Sequence, residues 1–149
     1  MENNYRLPSI WIVWLSVASL GVSFFGLFLV LAPTLSTNSF SLLVYAEPDR
    51  ISRFGTEAVN YIQLTHAVMG AVMFGWGVMM LLIVRTLFLR GLPEVWSILV
   101  VSLISWFVPD TTFSLWSGFW QNAVLNLLFM ALFFVPLAAT RPFFKPALK

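Results

Sequence analysis

The chain has 149 residues, of which 60% are hydrophobic, 17% aromatic and only 9% charged, against the quarter or so of charged residues in a soluble domain. It is long enough for one domain, but so apolar a composition leaves too little polar surface to face water, which implies a lipid solvent. A formal charge of +2 spread over scattered residues makes no phosphate-tracking patch and excludes nucleic acid, while the lack of cysteine excludes disulfides, thiolate metal sites and thiol nucleophiles.

The first apolar run, residues 10–31, carries no charge and meets the roughly 20 residues needed to cross a hydrocarbon core. It reads as a retained helix rather than a signal peptide. Only Arg6 flanks it on the N-terminal side, its apolar stretch is about twice the usual length, and no small-x-small cleavage pattern stands near Ala32. Ser16, Ser19, Ser23 and Gly26 share one face of this helix and form a small-residue seam for close packing.

Pro33 to Glu57 is the longest connection: a Ser/Thr-rich run with Asn38, then Pro48-Asp49-Arg50-Ile51-Ser52-Arg53-Phe54-Gly55. A loop is expected here, carrying a short interfacial helix that starts near Asp49, stops at Gly55 and turns Ile51 and Phe54 inward. The second apolar run, residues 58–84, is closed by Arg85. Its Ala67, Ala71 and Gly75, with Gly70 and Gly77 nearby, form a second seam that should pack against the first.

A tight turn over residues 86–94, containing Gly91 and Pro93, leads to the third run, residues 94–112, which is short unless it passes Pro109. Residues 109–118 read as turn chemistry. The fourth run, residues 119–139, ends at Pro136 and Arg141. Lengths and the lack of two-residue alternation favour helices over barrel strands. The expectation is an all-α integral membrane protein, a single domain over residues 1–149. It is a four-transmembrane-helix bundle with one longer outer loop carrying a short interfacial helix.

Four spans put both chain ends and the middle turn on one side. That side collects Arg6, Arg85, Arg90, Arg141, Lys145 and Lys149, whereas the other has Arg50 and Arg53 offset by Glu47, Asp49 and Glu57. By the positive-inside rule the chain is a multi-pass protein of a bacterial inner membrane or an equivalent one, with cytoplasmic ends. Trp11, Trp14, Trp96, Trp116 and Trp120 fit interfacial aromatic belts, and the deeper Trp76 and Trp106 should face the bundle, where an indole N–H finds a partner.

Polar residues inside the spans gather at one level. His66, the single histidine, stands about eight residues into the second span, roughly 12 Å below the outer surface, with Gln63 one turn before it. Asp110 ends the third span on the same side, and Asn122 and Asn126 lie one turn apart on the fourth. Buried polarity in hydrocarbon should face the bundle and its own kind. Each residue also has a structural reading: His66 hydrogen-bonded to Asn126 or Gln63, Asp110 as a cap or turn, the asparagines as interhelical glue.

Two functional readings follow. In the first, Gln63, His66, Trp106, Asp110, Trp116, Trp120, Asn122 and Asn126 line a site for the polar head of a lipid, quinone, sterol or pigment. The protein is then a lipophilic-ligand-binding protein or an accessory subunit of a membrane complex. In the second it is a membrane-embedded enzyme acting on a lipophilic substrate, with His66 as general base, Asp110 stabilising its imidazolium and an asparagine polarising a carbonyl. One histidine excludes a multi-histidine zinc site and bis-histidine haem within the chain, leaving a single axial ligand to a tetrapyrrole as the metal chemistry open to it. No cofactor is specified. No charged relay or matched pair of broken helices suggests a transporter.

Overall fold

The computed structural model describes residues 7–144, and among them the regular structure is entirely helical. The helices are α1 (Ser9–Leu31), α2 (Pro33–Tyr45), α3 (Thr56–Thr86), α4 (Pro93–Trp116) and α5 (Trp120–Thr140), with single 3-10 turns at Ile51–Phe54, Phe88–Arg90 and Arg141–Phe144. All but α2 are long and apolar enough to cross a membrane. Large apolar side chains cover the outside, among them Ile10, Val72 and Leu128, each about two-thirds exposed. Such a surface suits hydrocarbon rather than water.

The close pair is α1 and α3. On α1 the hydroxyls of Ser16, Ser19 and Ser23 are consumed by carbonyls one turn back, at 2.8, 2.7 and 3.1 Å, so the buried face presents no unmet donors. The backbones then meet at Gly26 and Gly70, where a Cβ on either glycine would come within 2.5 Å of the other's carbonyl oxygen. The α1 seam is therefore as expected. The α3 seam is not the Ala67–Ala71–Gly75 row: Ala71 and Gly75 are exposed, and Gly70, Gly77 and Val84 take the buried face at seven-residue spacing. A seven-residue step returns to nearly the same azimuth on an α-helix, whereas successive four-residue steps drift round it.

α1 also packs on α5, and α5 on α4. By contrast α3 and α4, joined by a short turn, are not closely packed along their backbones. What bridges them is Trp76, whose Nε1 donates to Ser102 Oγ at 3.3 Å and whose ring lies 5.9 Å from that of Trp106. Both deep tryptophans thus face the bundle. The apolar core fills the half nearer the α3–α4 turn, where Leu15, Val84, Leu99, Leu103 and Leu137 are buried and the Phe88 and Phe144 rings stand 4.6 Å apart. The Phe88–Phe144 contact puts Arg85, Arg90 and Arg141 at one end of the bundle, with Arg50 and Arg53 at the other. Arg6, Lys145 and Lys149 lie outside the described residues.

Three expectations are corrected. The Ser/Thr-rich stretch is helix α2, not loop: Pro33 occupies its first turn, and Ser36, Thr37 and Ser39 return their hydroxyls to carbonyls three or four residues back at 2.8–2.9 Å. It ends at Ala46, which adopts a left-handed conformation (φ 57°), and Pro48 follows. The short helix expected between Asp49 and Gly55 is a single 3-10 turn over Ile51–Phe54 that stops at Gly55 with Ile51 buried, but it starts later and leaves Phe54 half exposed rather than inward. Finally, α4 runs through Pro109 to Trp116, so the expected outer turn over 109–118 contracts to residues 117–119, with Gly118 at φ 83° making the reversal. A proline within a membrane-type helix costs one backbone bond without forcing an end.

Candidate functional site

The looseness between α3 and α4 opens into a cavity of about 1030 Å³ in the half of the bundle where α2 packs. Its walls come from all five helices and the Ile51–Phe54 turn, and most of the lining is apolar. Polar groups concentrate on the α4–α5 wall. Asp110 and Ser114 are one turn apart on α4, and Asn122 and Asn126 one turn apart on α5, so each pair projects from one face toward the other helix.

These side chains form a connected cluster. Asn122 Nδ2 donates to Asp110 Oδ1 at 3.0 Å and to Ser114 Oγ at 2.8 Å. Ser114 Oγ donates to the Asp110 carbonyl at 2.7 Å and lies 3.3 Å from its Oδ1. Below them the buried Asn126 donates through Nδ2 to Thr111 Oγ1 at 3.3 Å. The cluster ties α4 to α5 and fixes the Asp110 carboxyl against the cavity wall.

His66 stands on the α3 wall, its ring 4.6 Å from the Phe40 ring of α2 and tilted 35° to it. Its Nδ1 is buried and has no hydrogen-bond partner among the described residues. Leaving such a nitrogen unpaired costs on the order of 1–3 kcal/mol. The expected bonds to Asn126 or Gln63 are not made, because Asn126 turns to Thr111 and Phe40 occupies the space over the imidazole. No hydrogen bond joins His66 to Asp110 among the described residues, although both line the cavity.

Of the residues singled out from the sequence, His66, Trp106, Asp110, Asn122 and Asn126 line this one cavity. Gln63 is not part of its lining, and Trp116 and Trp120 are 89% and 61% exposed, outside the bundle. Sequence reasoning missed Ser114, whose place one turn after Asp110 becomes legible once α4 continues past Pro109. It also missed Phe40 and Gln121: Gln121 Nε2 donates to Val44 O at 3.2 Å and anchors α2, while its Oε1 is buried without a partner. Among the described residues no three His, Asp or Glu converge as metal ligands. The chain matches no protein-family model, no curated protein and no solved structure, so the cavity is interpreted from its own residues.

Proposed function

We propose that this is an integral membrane protein, its four long helices spanning the bilayer and its ends cytoplasmic, that binds a lipophilic ligand with one polar head in the cavity between α3, α4 and α5. The observation that carries the proposal is the division of the cavity itself: about 1030 Å³ of largely apolar space with the connected Asp110–Ser114–Asn122 cluster on the α4–α5 wall and His66 on the α3 wall. Ligand sites are concave, mostly apolar and furnished with a few convergent polar groups, and this volume suits a ligand of lipid or cofactor size. Two lining residues, Val72 on α3 and Phe113 on α4, are also 68% and 72% exposed, which supports access to the cavity between these helices. The basic residues at the α3–α4 turn and at the end of α5 support cytoplasmic ends. A ligand-holding subunit of a larger membrane assembly fits the same site.

The acid–base alternative has less support. Asp110 Oδ1 is committed to Asn122 and Ser114, and His66 leans on Phe40 rather than on a carboxylate that would stabilise its charged form. The test is direct: purify the chain in mild detergent, extract it with organic solvent, and identify what co-purifies by mass spectrometry and absorption. A lipophilic compound near one equivalent is the expected result. An extract matching bulk membrane lipid in composition would refute the binding reading.

A further inference from the structure

The polar wall carries one carboxyl group and, among the described residues, no basic side chain to pair with it. Among the described residues Asp110 is the sole acidic residue lining the cavity, and no lysine or arginine lines it. Among the described residues the ion pairs belong to Arg53, with Glu47 and Asp49, at the surface. Asn122 and Ser114 hold Asp110 Oδ1 from one side, whereas Oδ2 makes no hydrogen bond among the described residues and is not sealed in by packing. The carboxyl is therefore oriented, half satisfied and presented to an apolar space.

Aromatic residues line the cavity near Asp110 in sequence. Trp106 and Phe113 stand one turn before and after Asp110 on α4, and Phe119 lines the same end from the start of α5. Ring faces attract cations and are indifferent or repulsive to anions, and the attraction grows where water is excluded. Hydrocarbon disfavours an ionised carboxyl that has no counter-charge, and a cation brought by the ligand would supply one. A head bearing phosphate or carboxylate would meet Asp110 as a like charge and would find no lysine or arginine.

Resting on the ligand-binding reading above, the geometry points to a lipophilic amine as the class of ligand: an apolar chain or ring system with an ammonium head seated against Asp110 Oδ2 and framed by Trp106 and Phe113. An ammonium carried on a phospholipid brings its phosphate with it, for which the wall offers no basic partner, so the amine is one without an adjoining anion.

The test compares heads on one tail. The full chain in nanodiscs of zwitterionic lipid is given equal concentrations of dodecylammonium, dodecanol, dodecanoate or lysophosphatidylethanolamine, and bound ligand is counted by native mass spectrometry. Dodecylammonium should be retained at least tenfold better than the alcohol, with the acid and the lysophospholipid at background. D110N should reduce the ammonium to within twofold of the alcohol. The wild-type series needs no variant to fold, and for D110N an unchanged thermal midpoint certifies the fold. Alcohol or acid held as well as the ammonium, or an ammonium preference that survives in D110N, overturns the amine inference while leaving the pocket intact. Retention of none of the four overturns the binding reading as well. Retention of the lysophospholipid equal to that of the simple amine would reassign the source to membrane lipid and overturn the exclusion of a phosphate.

Discussion

Trp14 Nε1 donates a 2.9 Å hydrogen bond to the carbonyl oxygen of Leu132, the acceptor that Pro136, four residues on, has no N–H to serve. One tryptophan thus repairs the backbone of another helix. Beyond its expected place in an interfacial belt, the Trp14 indole ties α1 to α5. A similar indole bond, from Trp96 Nε1 to Leu137 O at 2.8 Å, ties α4 to the end of α5.

Trp14→Phe should destabilise the bundle by about 1–2 kcal/mol, since it leaves the Leu132 carbonyl without a donor at an apolar helix surface. In a Pro136→Ala background, where residue 136 regains its N–H, the same change should cost clearly less. A double-mutant cycle read by thermal unfolding in detergent checks this. Equal costs in both backgrounds would contradict it.

Gly70→Ala should lose about 1–3 kcal/mol, because the new Cβ would stand 2.5 Å from Gly26 O and 2.7 Å from Leu29 Cβ, forcing α1 and α3 apart. Gly75→Ala meets nothing within 4 Å and should be neutral, or stabilising by up to about 1 kcal/mol through helix propensity. Comparison of their unfolding midpoints decides between this seam and the four-residue row.

His66→Ala removes no hydrogen bond made within the described chain, so its effect on stability should stay within about 1 kcal/mol. Ligand recovered in the organic extract should nevertheless fall at least tenfold. Undiminished ligand content in a folded variant would remove His66 from the site.

Asn122→Ala strips Asp110 and Ser114 of their shared donor and should cost about 1–2 kcal/mol. Asn122→Asp should cost more, since it sets a second carboxylate against the first in a poorly solvated site. Thermal midpoints of the two variants give the order, and a milder effect for Asn122→Asp would show that the cluster is better solvated than its packing implies.

Reporter fusions at Lys149 and within residues 86–94 should report the same, cytoplasmic, side, and a fusion at Asp49 the opposite side. Opposite reports from the first two would dismantle the four-span arrangement.

The four long helices were legible because uncharged apolar length is a composition signal that no rotation or partner can disguise. The level of the polar groups was legible for the same reason: depth follows from counting residues along a helix. Azimuth was not. Which face of α3 buries, and hence why His66 meets Phe40 rather than Asn126, depends on the supercoil of α1 against α3 and on α2, whose serines and threonines look like loop until their hydroxyls close on their own carbonyls. Pro109 misled in the same way, since a ring that usually ends helices stands inside α4, one of the helices long and apolar enough to cross a membrane. With α4 shortened, the Asp110–Ser114–Asn122 cluster could not be foreseen as a unit.

The seam between α3 and α4, spanned at Trp76 and Ser102, also bears on how an occupant would be supplied. Arriving sideways, it would equilibrate with molecules dissolved among the acyl chains rather than with those in water. Saturation would then track mole fraction in the bilayer, so a modest intrinsic affinity could keep the cavity filled. Diluting the membrane with detergent at constant total ligand would empty it.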